Sequence, residues 1–287
     1  MPVSRRRIIR PRRAGRAGEL PVDGPQPGDL FFETSGAPMN VKERLAIPRQ
    51  KPRELDPEER INNFDEVCKG FDEKTALLEA ERCLQCRRPL CVMGCPIGND
   101  IPRFIDLLHQ KKYEAAYWVI RETSSMPSVC GRVCPYEFKC EGACIRAKKD
   151  EPVAIGMLER FLADWMMING KNLSLRCVKS NGIKAAIIGS GPAGITVAHS
   201  LAHKGYDCTI FESLPVFGGM LSVGIPHYRL PRNIIGAELY ALQQCGVNVR
   251  TGVTVGKDLT LSDLHDQGFA AVFLGIGAYE SQRLGLE

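Results

Sequence analysis

The sequence predicts a multidomain protein with two folded parts, a mainly α-helical domain and then an incomplete α/β domain. Two observations support this organisation. Eight of the twelve cysteines lie between Cys83 and Cys144, in loops between stretches of helical periodicity. From residue 184 the pattern changes to a short apolar strand, a glycine-rich turn, a helix and a second strand, which is the order of a βαβ unit. A chain of 287 residues is long enough for two such domains.

Composition and charge set the outer boundaries of these parts. Residues 1–55 are rich in Arg, Pro and Gly, which predicts a basic disordered arm and an extended lead-in. Seven arginines and no acid lie in the first eighteen residues, so the net charge of +5 belongs to this arm and the remainder carries −2. A transit peptide and a polyanion-binding patch are weaker interpretations of the arm. The absence of a long apolar run predicts no membrane span, and with no signal peptide we expect a cytoplasmic protein.

The helical domain is predicted over residues 56–170. Asp56 before Pro57 is typical of a helix start, because Asp caps the first turn and proline fits its first position. Further helices are expected at 75–82, at 101–122 as one or two segments, and at 153–167.

A polar linker is predicted over 171–183, and the α/β domain over 184–287. The strands are expected at 184–188, at 207–211 and, buried later in the domain, at 270–274. A helix over 195–204 connects the first two.

The clustered cysteines form two groups, CLQCRRPLCVMGCP and CGRVCPYEFKCEGAC. Four thiolates can hold a [4Fe–4S] cube, and a run that ends in Cys-Pro is typical of ferredoxin-type loops. Zinc is the competing interpretation, but structural zinc sites use paired C-x2-C motifs and only one such pair is present. Eight cysteines therefore permit two all-cysteine clusters. The isolated Cys68, Cys177, Cys208 and Cys245 are predicted to be small buried apolar residues.

The glycine-rich turn IIGSGPAG contains Gly189, Gly191 and Gly194 in a G-x-G-x-x-G pattern after a strand and before a helix. Glu212 ends the next strand, where an acid can bond a ribose hydroxyl. The helix start favours phosphate, so the unit predicts a dinucleotide site of Rossmann type. Gly218-Gly219 and the later strand-to-glycine segment at 273–278 favour FAD over NAD.

Several segments in order resemble one family of enzymes: ERINNFDEV, EAERCLQC, GCPIGNDIP, CGRVCP, PVAIGMLERF and GIPHYRLP. From about residue 40 to 287 the chain is similar to the NADPH-dependent glutamate synthase small (beta) subunit. It is also similar to the large subunit of the bifurcating NADH-dependent ferredoxin:NADP oxidoreductase and to the N-terminal half of dihydropyrimidine dehydrogenase. The resemblance implies two [4Fe–4S] clusters in the helical domain, followed by FAD- and NADPH-binding domains.

The resemblance also implies which residues act. Cys83, Cys86, Cys91 and Cys144 would hold one cluster, and Cys95, Cys134, Cys140 and Glu159 the other, leaving Cys130 free. The flavin contacts implied by the resemblance are Gly189, Ser190, Gly191, Pro192, Ala193, Gly194, Glu212, Gly218, Gly219, Met220, Arg229 and Val255.

The expected function is transfer of electrons from NADPH through FAD and the clusters to a partner, either a catalytic large subunit or another electron-acceptor protein. Relatives of the bifurcating or pyrimidine-reducing kind are alternatives, and a non-enzymatic iron–sulfur module is an alternative of another class. No side chain points to acid–base or nucleophilic catalysis, and no nucleic-acid partner is expected. The family's NADPH domain should follow residue 287, so this sequence is expected to be a fragment that neither binds FAD tightly nor oxidises NADPH.

Overall fold

Helices dominate the first half of the chain in the computed structural model, which describes residues 39–169, 177–278 and 285. The arginine-rich arm and the first part of the predicted linker lie outside the described residues. The helices are α1 (Val41–Ala46), α2 (Pro57–Arg60), α3 (Glu73–Glu81), α4 (Leu90–Gly94), α5 (Ile101–His109), α6 (Tyr113–Arg121), α7 (Pro127–Val133) and α8 (Ile155–Ile168). Two very short strands, β1 (Arg53–Glu54) and β2 (Cys68–Gly70), pair antiparallel.

The expected extended lead-in before residue 55 is only partly extended, because α1 lies within it. Asn40 begins this helix by accepting a hydrogen bond from the Glu43 amide, and the Glu43 side chain accepts one from the Asn40 amide. This reciprocal pair is a capping box, which satisfies two amides that would otherwise lack partners.

Helix α8 forms the centre of the helical domain and packs on α3, α6 and α7. Leu158 and Leu162 on α8 are fully buried. Helix α5 contributes one apolar face, in which Phe104 and Leu108 are also fully buried. The cysteine loops surround this core, so the packing of α3, α5 and α8 determines where the thiols lie.

The second half is a parallel sheet with helices. Its elements are β3 (Lys184–Ile188), α9 (Pro192–Ala202), β4 (Asp207–Glu212), α10 (Met220–Val223), α11 (Arg232–Gln244), β5 (Asn248–Thr251), α12 (Leu261–Asp266) and β6 (Phe269–Leu274). The strand order is β5-β4-β3-β6, and every neighbouring pair is parallel. The chain runs from β3 to one side and returns on the other, which opens a crevice at the carboxyl ends of β3 and β6.

The prediction of a buried strand at 270–274 was wrong about burial. Strand β6 forms where expected, and Phe269 is buried, but Leu274 is 59% exposed and Val272 is 38% exposed. Apolar composition alone suggests burial on both faces. In the described part of the chain, however, β6 is an outer strand that pairs with β3 alone.

Helix α7 packs against α8 and also against the α/β half. Met126 and Val129 share a core cluster with Ile195, Ile234 and other residues of α9 and α11. The Arg121 guanidinium also pairs with the Glu238 carboxylate at 3.2 Å, and both side chains are buried. The two halves are therefore joined by a packed and ion-paired contact, and not by the linker alone.

Among the described residues, every helix is too short or too polar to cross a membrane.

Candidate functional site

Cys83, Cys86, Cys91 and Cys144 line one cavity in the helical domain. The remaining lining is mainly apolar and includes Ile101, Ile105, Val153 and Ile155. The structure thus brings together the four cysteines that the resemblance assigns to one cluster, although the first and the last are 61 positions apart in the sequence. We call them the first thiol group.

Two buried arginines hold the ends of this group in place. Arg82, immediately before Cys83, has no exposed surface, pairs with Glu79 at 2.7 Å and donates to the Pro152 carbonyl at 2.9 Å. Arg146, two residues after Cys144, donates to the Arg44 and Arg82 carbonyls at 2.7 and 3.3 Å. Sequence analysis missed both arginines, although an arginine directly before a predicted ligand cysteine would have been a usable indication.

Burial raises the pKa of three thiols of the first group, Cys83, Cys86 and Cys91. Burial raises the pKa of Cys83 to about 11, and the neighbouring thiols Cys86 and Cys144 add to the shift. Burial likewise raises the pKa of Cys91 to about 12. A positively charged group must replace these protons before the sulfurs can act as thiolates, which is the usual coupling between metal binding and deprotonation.

Cys95, Cys134 and Cys140 lie together with Glu159, and we call these four residues the second group. Burial raises the pKa of Cys140, and the negative charges of Glu141, Glu159, Cys95 and Cys134 raise it further. Cys134 follows the last residue of α7, and Glu159 lies in the second turn of α8. The tight contact of α7 with α8 brings these two residues together.

Glu159 is the most unusual side chain of the second group. It is 93% buried, because only 7% of its surface is exposed, and its Oε1 atom has no hydrogen-bond partner among the residues that the structure describes. Burial raises the pKa of this carboxyl to about 8. A buried carboxyl oxygen without a donor costs free energy, and a cluster iron would satisfy it.

Cys130 lies beside the same group, and burial followed by the Glu159 charge raises its pKa. Its sulfur differs from the Glu159 oxygen in having a protein partner, since the Ser124 hydroxyl lies 3.9 Å from it. The unpartnered atom thus belongs to Glu159, which favours Glu159 over Cys130 as a ligand.

No group of three or more His, Cys, Asp or Glu side chains within the described ranges is arranged to hold a metal ion. Ligands of one ion must converge on a single point, whereas each ligand of a cube binds a different iron. The four thiols of the first group surround one cavity, so each of them could bind a different iron of a cube.

A cavity of about 540 Å³ opens at the carboxyl ends of β3, β4 and β6. Seven of the predicted dinucleotide contacts line it: Gly189, Gly191, Pro192, Ala193, Glu212, Met220 and Val255. The start of α9 lies at this cavity, where its amides and dipole favour an anionic group. Residues 274–278 also line the cavity, as do Ser213, Val253 and Thr254, which sequence analysis did not single out.

The three fingerprint glycines have different roles. A Cβ on Gly189 would lie 2.3 Å from the Gly275 carbonyl oxygen, and one on Gly194 would lie 1.9 Å from the Gly189 carbonyl oxygen. These two positions exclude any side chain because the backbone packs against them. A Cβ on Gly191 would meet no atom within 4 Å, so this glycine leaves space for a ligand rather than for the protein.

Glu212 and Ser190 connect the loops around the cavity. The Ser190 amide and hydroxyl donate to Glu212 Oε2 at 2.9 and 2.6 Å, and the Leu214 amide donates to Oε1 at 2.9 Å. The Gly218 amide donates to the Ser190 hydroxyl at 2.9 Å. Ser213 makes the longest contact with the carboxylate, at 3.3 Å, and is the partner that a ribose hydroxyl could most easily replace.

Five predicted contacts do not line the cavity: Ser190, Gly194, Gly218, Gly219 and Arg229. Gly219 packs on the loop behind it, since its Cβ would lie 2.9 Å from the Gly191 Cα. Arg229 is exposed, whereas Ser190 and Gly194 are buried supports of the loop.

The four isolated cysteines differ in burial and in bonding. Cys208 is buried, as predicted. The prediction was wrong for Cys177 and Cys245, which form a disulfide between the segment before β3 and the end of α11. The two positions are 68 residues apart, and only the folded arrangement brings them together. Cys68 is half-buried.

Comparison with known proteins agrees with this geometry. The family model for dihydropyrimidine dehydrogenase domain II, 4Fe-4S cluster, matches residues 60–171. The model for the NAD(P)-binding Rossmann-like domain matches residues 187–231.

Three relatives illustrate the range of similar proteins. The chain is 35% identical to the glutamate synthase [NADPH] small chain of Escherichia coli K12 over 248 residues, which are 86% of this chain and 52% of that protein. It is 37% identical to the NAD-dependent dihydropyrimidine dehydrogenase subunit PreT of Escherichia coli O157:H7, over 78% of this chain and 54% of the relative. It is 39% identical to the NADP(+)-dependent formate dehydrogenase subunit beta of Moorella thermoacetica, over 68% of this chain and 30% of that protein.

A 4Fe-4S domain followed by a Rossmann-like fold defines an iron–sulfur oxidoreductase that binds a dinucleotide. The chain belongs to the family that includes the small chain of NADPH-dependent glutamate synthase and the PreT subunits. It spans about half the length of these two relatives.

Proposed function

We propose that this chain is the electron-transfer part of an NAD(P)H-dependent flavin enzyme, of the kind found in glutamate synthase. It would hold two [4Fe–4S] clusters and the ADP half of FAD, and would deliver electrons to a partner protein. The observation that carries the proposal is the presence in one chain of two separate thiol groups and of a cavity at the glycine-rich turn.

The residues present fit these groups. The first thiol group would hold one cluster by four sulfurs, and the second would hold the other by three sulfurs and the unpartnered Glu159 carboxylate. Gly191 and the start of α9 would receive the pyrophosphate, and Glu212 the ribose. When bound, FAD accepts a hydride from a nicotinamide and releases electrons singly, which the clusters can carry.

The chain's own residues position these groups and exclude water. The apolar lining of the first cavity and the burial of Cys83, Cys140 and Glu159 limit the contact of both thiol groups with solvent. Helix α7, which ends just before Cys134, packs against the dinucleotide fold through Val129, whereas the described residues that line the first cavity all belong to the helical domain. This arrangement suits an electron path that enters through the second group and leaves through the first.

The choice of partner rests on the relatives. Their names include glutamate synthase, dihydropyrimidine dehydrogenase and formate dehydrogenase, and each of the three matches more than two thirds of this chain. The matches therefore support the reductase part of the proposal for all three kinds of enzyme. Glutamate synthase is favoured because its small chain matches 248 residues, against 225 for PreT and 217 for the formate dehydrogenase subunit.

The test is the metal and flavin content of anaerobically purified protein. We expect about eight irons and eight sulfides per chain, the sum of two cubes, with an EPR signal from each cluster after reduction. Stoichiometric zinc without a brown chromophore would contradict the proposal. A content of about four irons would contradict the second cluster only.

A further inference from the structure

A cleft of about 570 Å³ opens on the surface beside the first thiol group. Cys86, Arg87, Arg88 and Ile145 line it. Cys86 and Ile145 line the inner cavity as well. The two spaces therefore share a wall, and the first group comes closer to solvent here than its buried Cys83 suggests.

Arg87 and Arg88 are exposed, and neither has a carboxylate within ion-pair distance in the described part of the chain. Other arginines of the helical domain differ in this respect. Those with a carboxylate partner are Arg44, Arg49, Arg60, Arg82, Arg103, Arg121, Arg132, Arg146 and Arg160. The two arginines between the ligand cysteines thus stand out in a domain that pairs most of its guanidinium groups.

Two acids of this region already have cationic partners. Asp150 pairs with Arg146 at 2.7 Å, and Glu81 lies 3.8 Å from Arg44. The exposed Lys148 and Lys149 follow Ile145, and Asp150 and Glu151 come directly after them, so this segment is balanced in charge. The unbalanced positive charge of the cleft therefore comes from Arg87 and Arg88, beside the partly exposed Ile145.

We propose that the Arg87–Arg88 cleft is the docking surface for an acidic electron-carrier protein. The inference rests on the proposed function and adds the chemistry of the partner and the place where it binds. A positively charged rim increases the rate of encounter with a negatively charged surface and orients it. One electron would pass per encounter, so that the protein is oxidised by one electron and the partner reduced by one, with no bond or proton exchanged.

The experiment uses holoprotein with assembled clusters and two probe proteins of opposite charge. The acidic probe is a plant-type [2Fe–2S] ferredoxin, and the basic probe is mitochondrial cytochrome c. Binding is measured by titration calorimetry at low and at high ionic strength, and electron transfer from the reduced protein is followed by stopped-flow absorbance. The variant is Arg87→Glu/Arg88→Glu. Its matched control is Lys179→Glu/Lys257→Glu, which changes the net charge equally at exposed positions of the α/β half.

We expect the reversal variant to bind the acidic ferredoxin at least about tenfold more weakly at low ionic strength, and the control to bind it nearly as well as the wild type. The difference should shrink at high salt. Equal effects of the two double variants would overturn the inference, as would tighter binding of cytochrome c, or of a single-stranded oligonucleotide, to the wild type.

Failure of the proposed function would look different. Protein that lacks iron, or whose iron is not reoxidised by ferricyanide, would contradict the electron-transfer role itself. Normal iron content and ferricyanide oxidation, together with binding that does not depend on Arg87 and Arg88, would contradict the docking surface alone.

Discussion

The helical domain and the α/β half hold their candidate cofactors with different parts of the chain. In the helical domain, side chains make the site: the thiols and Glu159 project from loops and helix ends, and buried arginines such as Arg82 hold the backbone behind them. In the α/β half, backbone makes the site, because Gly189 and Gly194 allow two turns to touch and Gly191 leaves room for a ligand. A side chain added at Gly189 or Gly194 would collide with backbone, whereas one added at Gly191 would not.

The largest effect is expected at Gly194. Gly194→Ala places a methyl group 1.9 Å from the Gly189 carbonyl oxygen, so the turn and α9 must separate. We expect the free energy of unfolding to fall by about 3 kcal/mol or more, as for other overpacked backbone contacts. Chemical denaturation followed by circular dichroism measures this. An unchanged unfolding midpoint would show that the turn can accommodate the methyl group without separating from α9.

Gly191 provides the matched comparison. Its φ of −68° suits any residue, and a Cβ there meets no atom, so Gly191→Ala should fold normally. The methyl group would nevertheless stand where a pyrophosphate approaches the backbone. We expect FAD to bind about a hundredfold more weakly, which is about 2.7 kcal/mol, in a flavin fluorescence titration. Wild-type affinity in this variant would place the dinucleotide elsewhere.

His199 on α9 tests the contact between the two halves. Burial, followed by the charges of Arg121 and His203, lowers the pKa of His199 to about 3. Glu122 and Lys204 complete the charged surroundings. A depressed folded pKa means that the unfolded chain takes up a proton first, near pH 6.5. Stability is therefore complete above about pH 6.5 and is lost as the pH falls towards about 3.

Between about pH 7 and pH 5, the wild type should lose about 2 kcal/mol more of its unfolding free energy than His199→Gln, which cannot titrate. Denaturant titrations of both proteins at the two pH values measure this difference. Parallel losses would mean that His199 is solvated in the native state.

The smallest effect on the fold is expected in the second group. Cys130→Ser should leave iron content and both EPR signals unchanged, because the sulfur already has Ser124 as its neighbour. Glu159→Ala should alter the EPR signal of one cluster only, since it removes the unpartnered oxygen. The two variants control for each other. The reverse outcome would make Cys130 the ligand, and the two clusters would then be held by eight cysteines.

Sequence patterns predicted most of the architecture, but they did not predict which cysteines lie together. Helices predicted at 101–122 and 153–167 and strands β3 and β4 follow from apolar periodicity, and they form close to the expected positions, with α8 beginning at Ile155. Helix α11 and strand β5 were not predicted, although Pro231 directly precedes the helix and Gly246 lies just before the strand. Spacing alone permitted two all-cysteine clusters. The grouping of Cys144 with Cys83 depends on how α3, α5 and α8 pack, which local patterns do not encode.

The Cys177–Cys245 disulfide and the exposure of β6 were missed for a related physical reason. Both depend on residues that are distant in sequence. The disulfide needs a thiol 68 residues away, and the burial of β6 depends on its position in the strand order of the sheet. A single apolar segment contains no information about which of its faces another segment covers. The G-x-G-x-x-G turn was predictable because its constraints lie within six residues.

Helix α7 has a consequence for how this protein can be divided. The sequence suggests a cut in the polar segment around 171–183, which would separate two modules. Met126 and Val129, however, complete the core of the α/β half, and Glu238 of that half accepts a hydrogen bond from the Ser128 amide at 3.2 Å. Removal or exchange of the helical domain would therefore expose core residues of the α/β half. It would also leave Glu238 without its ion-pair partner Arg121. Recombination between relatives is therefore expected to keep the helical domain and the α/β half together. Further domains are expected before the first or after the second.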